Sequence, residues 1–168
     1  MKKILFLVTV AVVVGLAGTL VVEAAAGTLT LSPAAKIVSR GQVFTITIIA
    51  NPAGSSVYTV KAGVRFPADL LEVRSFVFGS SWLPLTQPGY DTTDNTSGSL
   101  VKTAGYPGGL SSSKTLGTIT FRAKANGVAQ VTIAGDSLML DASNMNSFTG
   151  GNKLVVTDQQ AAATAGVT

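Results

Sequence analysis

Leu116–Ile133 reads LGTITFRAKANGVAQVTI, and its pattern decides the fold class. Ile119, Phe121 and Ala123 alternate with Thr118, Thr120, Arg122 and Lys124. Beyond Asn126-Gly127, Ala129, Val131 and Ile133 alternate with Gln130 and Thr132. A period of two with apolar residues on one side marks a strand with one buried and one solvated face. Asn-Gly between two such runs suits a tight turn, because both residues tolerate positive φ. The stretch therefore predicts two antiparallel strands in a hairpin.

The same period recurs on working outward. Thr28-Leu29-Thr30-Leu31 alternates; Phe44, Ile46 and Ile48 oppose Thr45 and Thr47. Val60, Ala62, Val64 and Phe66 oppose Thr59, Lys61, Gly63 and Arg65. Arg40-Gly41, Asn51-Pro52-Ala53-Gly54 and Gly150-Gly151-Asn152 read as turns between runs. No 3.6-residue periodicity shows from Gly27 on. The reading is all-β: an antiparallel β-sandwich or jelly roll, preceded by an N-terminal hydrophobic signal or anchor helix. Gly79–Ser99 and Tyr106–Lys114 read as irregular, the second as a flexible connection.

Met1-Lys2-Lys3, an apolar run from Ile4 to Val22 and Ala24-Ala25-Ala26 have the order of a secretory signal cleaved before Gly27. The run is also long enough for a retained membrane anchor, so membrane association would come through residues 4–22. The expected organisation is signal or anchor over 1–26, sandwich over 27–157, and flexible tail or linker over 158–168. Either use of the N-terminus makes the protein secreted or cell-surface.

Composition excludes several chemistries. The 168 residues include no Cys and no His, so there is no disulfide, Cys nucleophile, Ser-His-Asp triad or Cys/His zinc site. Lys and Arg number 12 against 8 Asp and Glu, but the basic residues beyond Lys2-Lys3 are scattered singly, which speaks against nucleic-acid binding. No cofactor is expected.

Three segments, in order, give a resemblance. Leu29–Ile48 (LTLSPAAKIVSRGQVFTITI), Val64–Val73 (VRFPADLLEV) and Leu116–Ile133 make Gly27–Thr157 similar to the bacterial cohesin domain. The resemblance implies a jelly-roll sandwich of about nine strands. It also implies an exported, non-catalytic module that binds a dockerin-type protein in polysaccharide-degrading or cell-surface assemblies. The fold is shared with some carbohydrate-binding modules.

Two binding surfaces follow as expectations. The outward residues Thr59, Lys61, Gly63 and Arg65 would form a partner-binding sheet face, with Gly63 allowing close approach and the cations favouring an acidic partner. Alternatively Trp82, Tyr90 and Tyr106 would present flat rings to a polysaccharide. The competing reading is that Trp82 plugs the sandwich edge and the tyrosines anchor loops. A purely structural surface subunit is a third possibility.

Asp69 and Glu72 are local to one turn and strand start, not two acids converging across a cleft, so hydrolysis is not expected. Asp69 reads as a cap on the turn after Pro67. Only oxygen-ligand metal sites remain conceivable. Asp91, Asp94 and Asn95 are the weak calcium candidates, with Asp136 and Asp141 a second acidic pair; neither shows a known calcium-loop pattern, and a simple polar loop is the alternative.

Overall fold

The computed structural model describes residues 26–158. The signal-or-anchor and tail expectations therefore lie outside the described residues, apart from Ala26 and Asp158. Thirteen strands run in chain order: β1 Gly27–Ser32, β2 Ala35–Val38, β3 Val43–Asn51, β4 Val57–Arg65, β5 Leu71–Phe78, β6 Leu83–Leu85, β7 Asp91–Asp94, β8 Ser99–Leu110, β9 Lys114–Ala123, β10 Val128–Ile133, β11 Leu138–Leu140, β12 Phe148–Gly151 and β13 Lys153–Asp158. Among the described residues there is no helix.

Two sheets form the sandwich. One has five strands in the order β12-β1-β3-β9-β5; the other has eight, ordered β2-β13-β10-β4-β8-β6, with β11 added beside β4 and β7 beside β8. The chain changes sheet at nine of the twelve connections between these strands, which buries the inner faces of successive strands against each other. Ile46, Ile48, Ile119 and Phe121 from one sheet and Val60, Ala62, Leu100 and Val131 from the other are all fully buried. The Phe121 ring stacks on Phe44 at 5.8 Å and meets Phe66 edge-on at 5.4 Å. Each such large side chain contributes about 1.5–3 kcal/mol by leaving water.

The alternating runs are where the sequence puts them, as β1, β3, β4, β9 and β10. Several local expectations are corrected. First, Asn126-Gly127 does not close a hairpin. β9 pairs with β3 and β5, whereas β10 pairs with β13 and β4, so the turn carries the chain across the sandwich. Gly127 has φ +144°. Alternation reports one buried face per strand, and an arch between sheets satisfies it as well as a hairpin does.

Second, a tight hairpin lies in the stretch read as irregular. β7 and β8 pair with Asp94 opposite Ser99, and Asp94 Oδ1 accepts from the amides of Thr96 and Ser97 at 2.8 and 3.0 Å. Third, Tyr106–Leu110 is not a flexible connection but the end of β8, with Leu110 opposite Val57. Gly150-Gly151 likewise belongs to β12, not a turn. The pairing is antiparallel except for β1·β12 and β2·β13, which run parallel. Side-chain alternation carries no information about strand direction.

Candidate functional site

The outward face of the eight-stranded sheet is built around β4. Register lines up Leu140, Thr59, Gly105 and Leu83 in one row across β11, β4, β8 and β6, and Leu138, Lys61, Thr103 and Leu85 in the next. Residues opposite one another share a face of the sheet. Their neighbours Met139, Val60 and Ala104 are fully buried inside the sandwich, so these two rows point outward. Leu83 is 61% exposed, while Leu85, Leu138, Leu140 and Lys61 are half-buried. On this face Lys61 stands between Leu138 on β11 and the buried Thr103 on β8, with Leu140 one row along and Leu83 and Leu85 beyond β8 on β6.

A polar row lies further along: Lys153, Thr132, Arg65, Ser99 and Asp94 stand opposite one another across β13, β10, β4, β8 and β7. Arg65 is exposed. Between the two groups the expected strip is interrupted at Gly63, which is buried. The bulge joining β10 to β11 lies over it: Gly63 N donates to Ser137 Oγ at 3.0 Å and Ala134 N to Gly63 O at 2.8 Å. A Cβ at Gly63 would stand 3.0 Å from Asp136 Oδ1 and 3.1 Å from Ala134 Cβ. The close approach that Gly63 permits is thus used by the chain's own loop. That loop also brings Asp136 within 3.4 Å of Lys61, offsetting part of its charge.

The three aromatic candidates are not brought together on the surface. Trp82 is 4% exposed; its Nε1 donates to Thr115 O at 2.7 Å and its ring meets Tyr106 edge-on at 5.0 Å. It plugs the sandwich edge, with Tyr106 half-buried beside it. Tyr90 is 47% exposed, in the turn before β7. Trp82 therefore offers no ring face to a polysaccharide.

The acidic candidates are also dispersed. Asp69 is exposed, and the turn after Pro67 is closed by backbone bonds from Leu70 N and Leu71 N to Pro67 O, not by a side-chain cap. Glu72 accepts from Arg74 at 3.1 Å and Arg122 at 3.3 Å; the Arg74 hydrogen bond, foremost, holds its carboxyl below the ordinary value. Asp91 is ion-paired with Lys102, which points into the sandwich end and lies 5.6 Å from the centre of the Phe76 ring. Asp94 is committed to its turn. Asn95 binds the backbone of Val73 through both Oδ1 and Nδ2. These three side chains face different partners and do not converge on an ion. Among the described residues no three acidic groups are placed to hold a metal.

The leucines of the outward face were missed in the sequence because Leu138-Met139-Leu140 is uniformly apolar and Leu83-Pro84-Leu85 is broken by proline. Neither passes an alternation test.

No protein-family model matches the sequence, and no curated protein does. Solved structures do match the fold. A non-cellulosomal cohesin from the archaeon Archaeoglobus fulgidus aligns over 85% of this chain and 99% of its own, with a TM-score of 0.64 and 16% identity. The sixth cohesin of Acetivibrio cellulolyticus scaffoldin B, solved with a dockerin, aligns over 80% and 99%, with a TM-score of 0.60 and 18% identity. A Clostridium thermocellum cohesin from a type I cohesin–dockerin complex aligns over 79% and 94%, with a TM-score of 0.61 and 12% identity. The chain has the cohesin fold.

Proposed function

We propose that this protein is an exported, non-catalytic binding module that docks a dockerin-type partner on the outward face of the eight-stranded sheet. The observation that carries the reading is that face itself, on a fold whose solved relatives include cohesins in complex with dockerins. Thr59, Lys61 and Arg65 lie on that face, and the apolar contact would come from Leu138 and Leu140 on one side of β4 and from Leu83 and Leu85 on β6. These leucines supply the apolar part of an interface, and Lys61, Arg65 and Lys153 supply basic groups beside it. The basic groups set on-rate and orientation toward an acidic surface more than affinity. The N-terminal segment, read as a signal or anchor, supports work outside the cytoplasm, secreted or at the cell surface, and the resemblance to cohesins suggests an assembly that degrades polysaccharide.

The test is calorimetric titration of the protein against a panel of dockerin modules. One or more should bind saturably. Leu83→Asp should weaken that binding roughly tenfold or more, as the loss of a central contact does. Lys61→Glu with Arg65→Glu should weaken it and reduce its salt dependence. No binding across the panel, or binding indifferent to both variants, would remove the reading.

A further inference from the structure

A groove of about 550 Å³ opens at the far end of β4, between the β3–β4 turn and the loop from β11 to β12. We propose that it binds a neutral saccharide. Its size suits one or two sugar rings, since small-molecule sites run to roughly 300–1,000 Å³.

The chemistry of the lining selects the ligand class. Hydroxyls come from Ser55, Ser56 and Ser143, and apolar contact from the ring of Tyr58 and the side chain of Met145. Asp141 is the one charged residue of the lining, and its Oδ1 is held by the amides of Ser143 at 2.8 Å and Met145 at 2.9 Å. With no Lys or Arg in the lining, nothing selects an anion. One carboxylate falls far short of the roughly six to eight oxygens a calcium ion takes. Hydroxyls together with an aromatic ring and a thioether in one lining suit a molecule that carries both C–H faces and hydroxyls, which is a sugar.

The groove is also preorganised. Asn146 Oδ1 accepts from Met139 N at 2.9 Å and Phe148 N at 3.0 Å, locking the loop from both sides. Asp141 N donates to Met145 O at 3.1 Å, and Asn144 N donates to Asp141 O at 3.1 Å, with Asn144 at φ +61°. This framework holds Met145 out, 69% exposed. Tyr58 is 39% exposed and its ring packs beside Gly109. A Cβ at Gly109 would come 3.0 Å from Tyr58 Cζ and 2.3 Å from Ser56 Oγ, so glycine is what lets the ring lie there. A ring and a loop already fixed lose little entropy when a ligand arrives.

The experiment is an NMR titration of the isotope-labelled protein with cellohexaose, xylohexaose and mannohexaose, paired with affinity electrophoresis in the corresponding soluble polymers. At least one sugar should give saturable shifts at Tyr58 and along the loop from Asp141 to Thr149. Tyr58→Ala should weaken that binding about tenfold, the order expected for an aromatic contact. Met145→Ala, at an exposed position, should weaken it less and leave thermal unfolding unchanged. Retardation by polymer together with hexaose shifts marks a polysaccharide-binding site, and hexaose shifts alone mark an oligosaccharide site. No saturable shift with any sugar, shifts elsewhere on the molecule, or full affinity in both variants would overturn the proposal. No protein partner enters the assay, so its outcome is independent of dockerin docking.

Discussion

The side-chain amide of Asn152 pairs with the backbone of Leu31 as a neighbouring strand would: Oδ1 accepts from Leu31 N at 2.6 Å, and Nδ2 donates to Leu31 O at 2.9 Å. Asn95 does the same for Val73, at 2.7 and 2.9 Å, beside the irregularity in the β5–β9 register. β1 carries β12 on its outer side and β5 is the last strand of the five-stranded sheet. Both asparagines therefore satisfy backbone groups that would otherwise lie open along an edge, which is one way a sheet avoids pairing with other chains. Asn152→Ala and Asn95→Ala should each lower unfolding free energy by about 2 kcal/mol. The double variant should lose the sum within about 0.5 kcal/mol, since the sites are on separate strands and share no partner. Urea titration measures all three.

Gly98 and Gly108 separate backbone strain from steric conflict. Both have positive φ, +70° and +80°. A Cβ at Gly98 would fall 1.9 Å from Phe66 O, whereas one at Gly108 would meet nothing within 4 Å. Gly108→Ala should lower stability by about 1–2 kcal/mol, the penalty of the left-handed region alone. Gly98→Ala should lower it by at least about 3 kcal/mol, because the β7–β8 turn must move off Phe66. Equal losses in denaturant titrations would refute the steric argument.

Trp82 is the protein's one tryptophan, so its fluorescence reports a single site. Native emission should be blue-shifted from that of the unfolded chain and poorly quenched by acrylamide, and sugars should leave it unchanged. Trp82→Phe removes the bond to Thr115 O and part of the contact with Tyr106; it should destabilise by about 1–3 kcal/mol. Emission at the solvent-exposed wavelength would contradict the burial.

Acid stability should follow Glu72 and Asp94. Glu72 is held below its ordinary value of 4.5 by the Arg74 hydrogen bond first, against desolvation, and then by Arg122. Asp94 is held below 3.8 by the Ser97 hydroxyl first and then by the amides of Ser97 and Thr96. A carboxyl whose folded pKa is lowered adds stability that is fully present above its unfolded pKa and lost as pH falls through the folded one. Melting temperature should therefore fall with pH below about 4.5, from the onset of the Glu72 titration. Glu72→Gln with Asp94→Asn should make that acid limb shallower and leave the plateau nearer neutrality flat. An unaltered limb would assign acid sensitivity to other groups.

Fold class was legible because strands with one buried face alternate, and β1, β3, β4, β9 and β10 do so cleanly. Their assignment to sheets was not legible, since Phe121 and Val131 are buried alike whether β9 and β10 form a hairpin or face each other across the core. The β7–β8 hairpin escaped notice because Asp91-Thr92-Thr93-Asp94 is polar throughout. Its edge position and the inward Asp91–Lys102 pair explain that composition. On the candidate face, Thr59, Lys61 and Arg65 could be read from β4 alone. The leucines beside them required the register of β6, β8 and β11, and the covering of Gly63 required the bulge at Ala134–Ser137.

Hydrogen exchange of the protein, free and saturated with dockerin modules of the panel, tests the central claim most directly. The account predicts new protection in β4, β6, β8 and β11, centred on Lys61 and Leu83, with β1, β3, β5 and β9 unchanged. Protection confined to the five-stranded sheet, or none with any dockerin, would contradict it.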